Sequence, residues 1–104
     1  MPVANGLNTL KGNDVGLYRL RRTGMGKLTY VGEGKIKDRV EAHLKKGEQP
    51  DHSQAFAFSE PQSIELSYIQ RHDLAKHQRL EIENDIIAAH VLQLGEVPSA
   101  QFLG

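Results

Sequence analysis

Apolar positions fall into period two at "VGLYRLR" (15–21), where Gly16, Tyr18 and Leu20 share one side of a predicted strand. "TGMGK" (23–27) follows with two glycines able to adopt positive φ, the chemistry of a hairpin turn. "KLTYVG" (27–32) is rich in β-formers and reads as the returning strand, with Leu28, Tyr30 and Gly32 on one face. Both tyrosines are therefore expected on the same side of a sheet. The period then changes. In "GEGKIKDRVEAHLKKG" (32–47), Ile36, Val40 and Leu44 form a narrow helical stripe, and Gly47 is the expected C′ stop. Arg39 and His43 stand four residues apart beside that stripe, on the rim where helix meets sheet.

The flanking segments are read more coarsely. Residues 1–13 show no periodicity and are expected to be a lead-in or linker. "AFAFS" and "SIELSYIQ" flank the turn "SEPQ" and suggest a second pair of short strands. From Asp73, an expected N-cap, a long helix runs to Gly95. On its wheel Leu80, Ile87, Val91 and Leu94 define the core face, widened by Ile82, Ile86 and Ala89. The last residues are expected to be irregular and to pack through Val97, Phe102 and Leu103. The predicted fold is one small α/β (α+β) domain over residues 14–104, with a central antiparallel or mixed sheet flanked by helices.

The length of 104 residues fits one domain, and 38% apolar with 25% charged residues is a globular composition. No run approaches the roughly 18 apolar residues of a membrane span. The lack of cysteine removes disulfides and thiolate metal sites, and fits a cytoplasmic or nucleoid-associated location. Net charge is zero, but it is unevenly spread. Residues 11–46 hold ten Lys/Arg and four acids; residues 47–104 hold three and nine. Such asymmetry points to nucleic acid as a partner, whereas the plainer reading is two solvated faces of opposite sign. Of the basic half, Arg19, Arg21, Arg22, Lys35 and Lys37 are the candidate phosphate contacts.

One carboxylate breaks the helical pattern. Glu83 falls inside the apolar arc of the last helix, three after Leu80 and four before Ile87. Such a group needs a cation or several donors to meet it. The structural reading pairs it with Arg39 or another base; the functional one makes it a ligand for Mg²⁺ or Mn²⁺.

Taken in order, these residues resemble the GIY-YIG nuclease family. "GLY" (16–18) and "YVG" (30–32) stand for the two halves of the name, each with one aliphatic exchange. Arg39 follows Gly32 by seven residues and His43 comes four later; "LEIENDII" looks like the family segment carrying its metal-binding glutamate, here Glu83. The resemblance spans residues 15 to about 95 and implies a metal-dependent endonuclease that hydrolyses DNA phosphodiester bonds. In that reading Tyr18 takes the proton from water, Tyr30 hydrogen-bonds water or phosphate, and His43 orients Tyr18 or accepts its proton. Arg39 offers a fork of donors to the phosphoryl oxygens, and Glu83 holds the metal. It also implies service in DNA repair, restriction or a mobile element, with further domains of a larger parent protein or a homodimer supplying specificity. The alternative is a nuclease-like module that binds nucleic acid or protein without cutting. His52, His72, His77 and His90 share no ligand spacing and are expected as surface or capping residues.

Overall fold

A central strand organises the molecule. In the computed structural model, which describes residues 1–102, β1 (Val15–Arg22) lies between β2 (Tyr30–Lys35) and β3 (Ile64–Gln70). Both pairings are antiparallel, with Tyr18 opposite Gly32 on one side and Tyr68 on the other. The helices are α1 (Val3–Thr9), α2 (Ile36–Gly47), the single turn α3 (Ala55–Phe58) and α4 (Lys76–Leu94). The expected α+β architecture is thus present, with a purely antiparallel three-stranded sheet.

The side-chain alternation of β1 divides the helices. Tyr18 and Leu20 point to the face covered by α1, α2 and α3, where they join Ile36, Val40, Phe58, Ile64 and Leu66 in the main core. Leu17 and Arg19 point to the opposite face, which α4 covers in part through Ile86 and Ile87. Ile86 of α4 lines a cavity with Ser67, Tyr68 and Ile69 of β3, and Ile69 is 64% exposed. Among the described residues no helix is long and apolar enough to cross a membrane.

Several expectations need correction. Residues 1–13 are not a linker stub: Val3–Thr9 is helical, and Val3, Gly6 and Leu10 are buried at spacings of three and four. The Met1 amino group donates to Leu66 O at 3.1 Å and Met1 O accepts from Leu66 N at 2.8 Å, so the N-terminus lengthens the sheet beside β3. A seven-residue helix is marginal alone; packing on Leu66 makes this one. "AFAF" is a helical turn, not a strand. Its alternation places Ala57 and Phe58 in the core while leaving Phe56 exposed, a pattern four residues cannot assign to either period.

Gly47 ends α2 for a different reason from the one expected. It is the last helical residue, and a β-carbon there would lie 2.1 Å from Phe58 O. Close approach of α3, not positive φ, requires the glycine. Gly95 does take the left-handed conformation, φ 78°, and ends α4 as expected. Asp73 does not cap α4; its carboxylate accepts from Arg71 Nε and Nη2, each at 2.9 Å. The first turn is held instead by Gln78, whose side chain accepts from Ala75 N at 2.8 Å.

The buried face of α4 is also rotated from the wheel expectation. Leu80, Val91 and Leu94 are exposed; Arg79, Ile82, Glu83, Ile86, Ile87 and His90 face inward. The tail runs along β2 rather than packing through Val97 and Phe102, which are exposed, while Leu103 lies outside the described residues. Gln101 is the buried anchor: its side chain accepts from Val31 N and donates to Val31 O, both at 2.8 Å, imitating a fourth strand.

Candidate active site

Tyr18 is 1% exposed, and it reaches its position because Gly32 has no side chain. A β-carbon on Gly32 would meet the Tyr18 ring and hydroxyl at 2.3 Å. The tyrosine therefore lies across its partner strand toward the outer edge of the sheet. Tyr30, diagonal to it, stacks at 6.2 Å between ring centroids with planes 20° apart. The two glycine-flanked triplets seen in the sequence thus build one aromatic floor.

α2 supplies the next two groups. His43 does not emerge on the rim with Arg39 as expected; it is 4% exposed and points inward with Ile36 and Val40. Its Nε2 lies 2.9 Å from the Tyr18 hydroxyl, and its ring packs 4.3 Å from Tyr30 and 4.7 Å from Phe58. Phe58 is a supporting residue that the sequence reading missed. Arg39 is exposed one turn earlier on α2, and its charge is near enough to the Tyr18 hydroxyl to favour its ionised form. Glu83 comes from α4, beyond the outer strand, and is close enough to act electrostatically on Tyr18 and to feel Arg39. Tyr18, Tyr30 and His43 are in direct contact, and Arg39 and Glu83 lie near enough for their charges to act on Tyr18.

Their acidities are displaced in a consistent way. Burial, then the neighbouring Tyr30, hold the Tyr18 phenol well above its ordinary value, against a weaker lowering by Arg39. Arg39 alone therefore does not make Tyr18 an ionised base. Burial, followed by the charges of Lys46 and Arg39, pushes His43 down to about 4, so the imidazole is neutral at pH 7. Burial and then repulsion from Glu33 raise Glu83 above the usual carboxylate range. Among the described residues Glu83 has no ion-pair partner within 4 Å, and His43 Nδ1 has no hydrogen-bond partner.

The neutral His43 carries a pH signature. Its folded pKa lies below the unfolded value of about 6.5, so the unfolded chain binds more protons between those values. The resulting stability is complete above about pH 6.5 and is lost as pH falls toward 4, roughly 3 kcal/mol at the limit. Urea unfolding at pH 7 and pH 4.5 should show this loss in the wild type. It should be largely absent in His43→Phe; an equal loss in that variant would refute the assignment.

Glu33 is the functional neighbour that sequence reading overlooked. It sits on β2 opposite Leu17, 5% exposed, and takes Lys76 Nζ at 2.9 Å and Arg79 Nε at 3.0 Å. Those two bonds hold its carboxyl below the usual range despite burial. Arg79 precedes Glu83 by one helical turn, so the pairing sets the rotation of α4 and with it the direction of Glu83. A buried acid at a strand position facing a helix was a sequence signal, but its partners lie over 40 residues away.

The expected phosphate contacts divide. Arg19, Arg21 and Lys35 are exposed, and Lys37 is half-buried. Arg22 is structural: its Nη1 donates to Ala57 O and Ser59 O, both at 2.9 Å, fastening α3. His90 is not a surface residue either. It is 6% exposed, accepts from Leu28 N at 3.0 Å and donates from Nδ1 to Glu96 O at 2.7 Å, tying the hairpin turn, α4 and the tail together.

Among the described residues no three His, Cys, Asp or Glu groups converge into a closed cage. Glu83 offers a single carboxylate without a counter-ion, made less acidic by burial and a second acid. That fits Mg²⁺ or Mn²⁺, which keep most of their waters and take one or two carboxylates plus phosphate oxygens. Compared with protein-family models, curated proteins and solved structures, the chain matches none.

Proposed function

We propose that the chain is a GIY-YIG-type endonuclease domain that hydrolyses DNA phosphodiester bonds with Mg²⁺ or Mn²⁺. The observation that supports this reading is the contact of Tyr18, Tyr30 and His43, with Arg39 and Glu83 near enough for their charges to act on Tyr18. Their roles follow from position. Arg39 is exposed and directs a planar fork of donors at the edge, suited to non-bridging phosphoryl oxygens. Glu83 would hold the ion. Such an ion, when bound, supplies positive charge to the phosphoryl group and the leaving oxygen.

Tyr18 and His43 form the proton path. The raised Tyr18 and lowered His43 keep the hydroxyl protonated and the imidazole neutral at pH 7. Tyr18 thus takes a proton from the attacking water only as it passes its own across the 2.9 Å contact to His43 Nε2. Tyr30 holds the Tyr18 and His43 rings in place and presents its own hydroxyl to water or phosphate.

The experiment is conversion of supercoiled plasmid to the open circle. Wild type should nick with Mg²⁺ or Mn²⁺ and stop in EDTA, and Glu83→Gln should lose at least about tenfold at subsaturating metal. Salt-dependent DNA binding without any nicking, indifferent to metal, would leave the non-catalytic binding module instead.

A further inference from the structure

Beside the aromatic floor lies an open cleft of about 430 Å³ in which Lys35, Arg39, Lys76 and Arg79 face Glu33 and Asp38. The cations come from two distant segments, the β2–α2 junction and the first turn of α4. Two of these residues, Lys76 and Arg79, belong to the half of the chain with only three Lys/Arg. Folding therefore moves positive charge across the division that the linear sequence displays.

The four cations are not equivalent. Arg79 is committed to the protein: its Nε binds Glu33 and its Nη1 donates to Leu74 O at 2.7 Å. Its side chain is 14% exposed. Lys76 is 71% exposed and has one partner, the same Glu33 carboxylate, so the rest of its ammonium faces the cleft. Lys35 and Arg39 are exposed and have no carboxylate within 4 Å among the described residues. With four cations against two acids the cleft carries net positive charge, and Glu33 holds Lys76 and Arg79 in place.

We infer that this cleft is a second phosphate subsite, in which Lys76 and Lys35 grip a phosphodiester next to the one Arg39 addresses. Arg79 and Glu33 are positioning residues that fix the start of α4 beneath Lys76. The ligand class is the backbone of a polynucleotide strand, because Arg39 belongs to both the cleft and the reaction centre. A strand crossing the site would meet the two in succession. This rests on the nuclease reading and adds to it a binding residue, Lys76, drawn from the acidic half of the chain.

The test is fluorescence anisotropy of an end-labelled DNA duplex in EDTA, between 50 and 300 mM salt (on the order of physiological ionic strength). Plasmid nicking with Mg²⁺ is scored alongside. Lys76→Gln should lower the slope of log affinity against log salt by about 0.9, the value for one phosphate contact. Lys76→Arg should retain the slope, and so should Lys45→Gln at the far end of α2. Circular dichroism should be unchanged, since Lys76 is exposed and Glu33 keeps Arg79. An unaltered slope in Lys76→Gln, with wild-type nicking intact, overturns the subsite and spares the nuclease. A lowered slope without nicking by the wild type supports the subsite and sinks the nuclease. No DNA binding by the wild type overturns the subsite.

Discussion

Arg39→Ala should slow plasmid nicking by about 10²–10³-fold, the loss typical of one pre-aimed donor to a developing anion. Stability should stay within about 0.5 kcal/mol of wild type, as for other exposed side chains away from the core. The two outcomes separate because Arg39 is exposed on α2 and makes no ion pair among the described residues. Its charge also opposes the rise that burial imposes on the Tyr18 phenol. Arg39→Lys should recover only part of the rate, since a point charge does not reproduce the planar fork. Initial rates of open-circle formation and urea melts of the three proteins decide the matter. Nicking by Arg39→Ala at the wild-type rate would remove the residue from the proposed site.

Glu33→Ala should cost the fold up to about 3–5 kcal/mol, the range for a broken buried ion pair. The stability of a domain this size is itself only about 5–15 kcal/mol. Removing the carboxylate leaves Arg79, 14% exposed, with a single carbonyl partner at Leu74 and no counter-ion at the sheet. α4 then loses the contact that sets its rotation, and Glu83 one turn later loses its aim. Amide hydrogen exchange along α4 should rise first, and nicking should fall with it even where the chain remains folded. Glu33→Gln, which keeps the shape and one acceptor, should lose less. Because pairing lowers the Glu33 carboxyl, its contribution is present above the unfolded value and disappears as pH falls through the folded one. Acid should therefore weaken the protein first through His43 and then through Glu33. Wild-type stability and α4 protection in Glu33→Ala would contradict this role.

The site was more legible than its support. Tyr18, Tyr30, Arg39, His43 and Glu83 could be named because their order resembles the GIY-YIG pattern; taken locally, only the i, i+4 pair and the acid among apolar residues stood out. The structure brings Tyr18, Tyr30 and His43 into contact, with Arg39 and Glu83 near them. His43 was nevertheless expected on a rim and is buried, since Phe58, from a turn mistaken for a strand, covers it. α4 shows the same limit. Its composition allowed Leu80, Val91 and Leu94 to face the core, but the Glu33 pairing to Arg79 and the His90 bonds to the hairpin and tail chose another rotation.

Sequence alone was enough for the hairpin, although its returning strand, expected at 27–32, runs over Tyr30–Lys35, and for most of α2, the existence and end of α4, and the chemical types gathered in them. These depend on backbone preferences and periodicities that act over a few residues. Only the tertiary structure decided the helix at 3–9, the turn at 55–58, the fourth-strand mimicry of Gln101, and the Glu33–Lys76–Arg79 anchor. Each is stabilised by partners distant in the chain. A seven-residue helix, an apolar tetrapeptide or a lone glutamate has no preferred state strong enough to be read until those partners are in place.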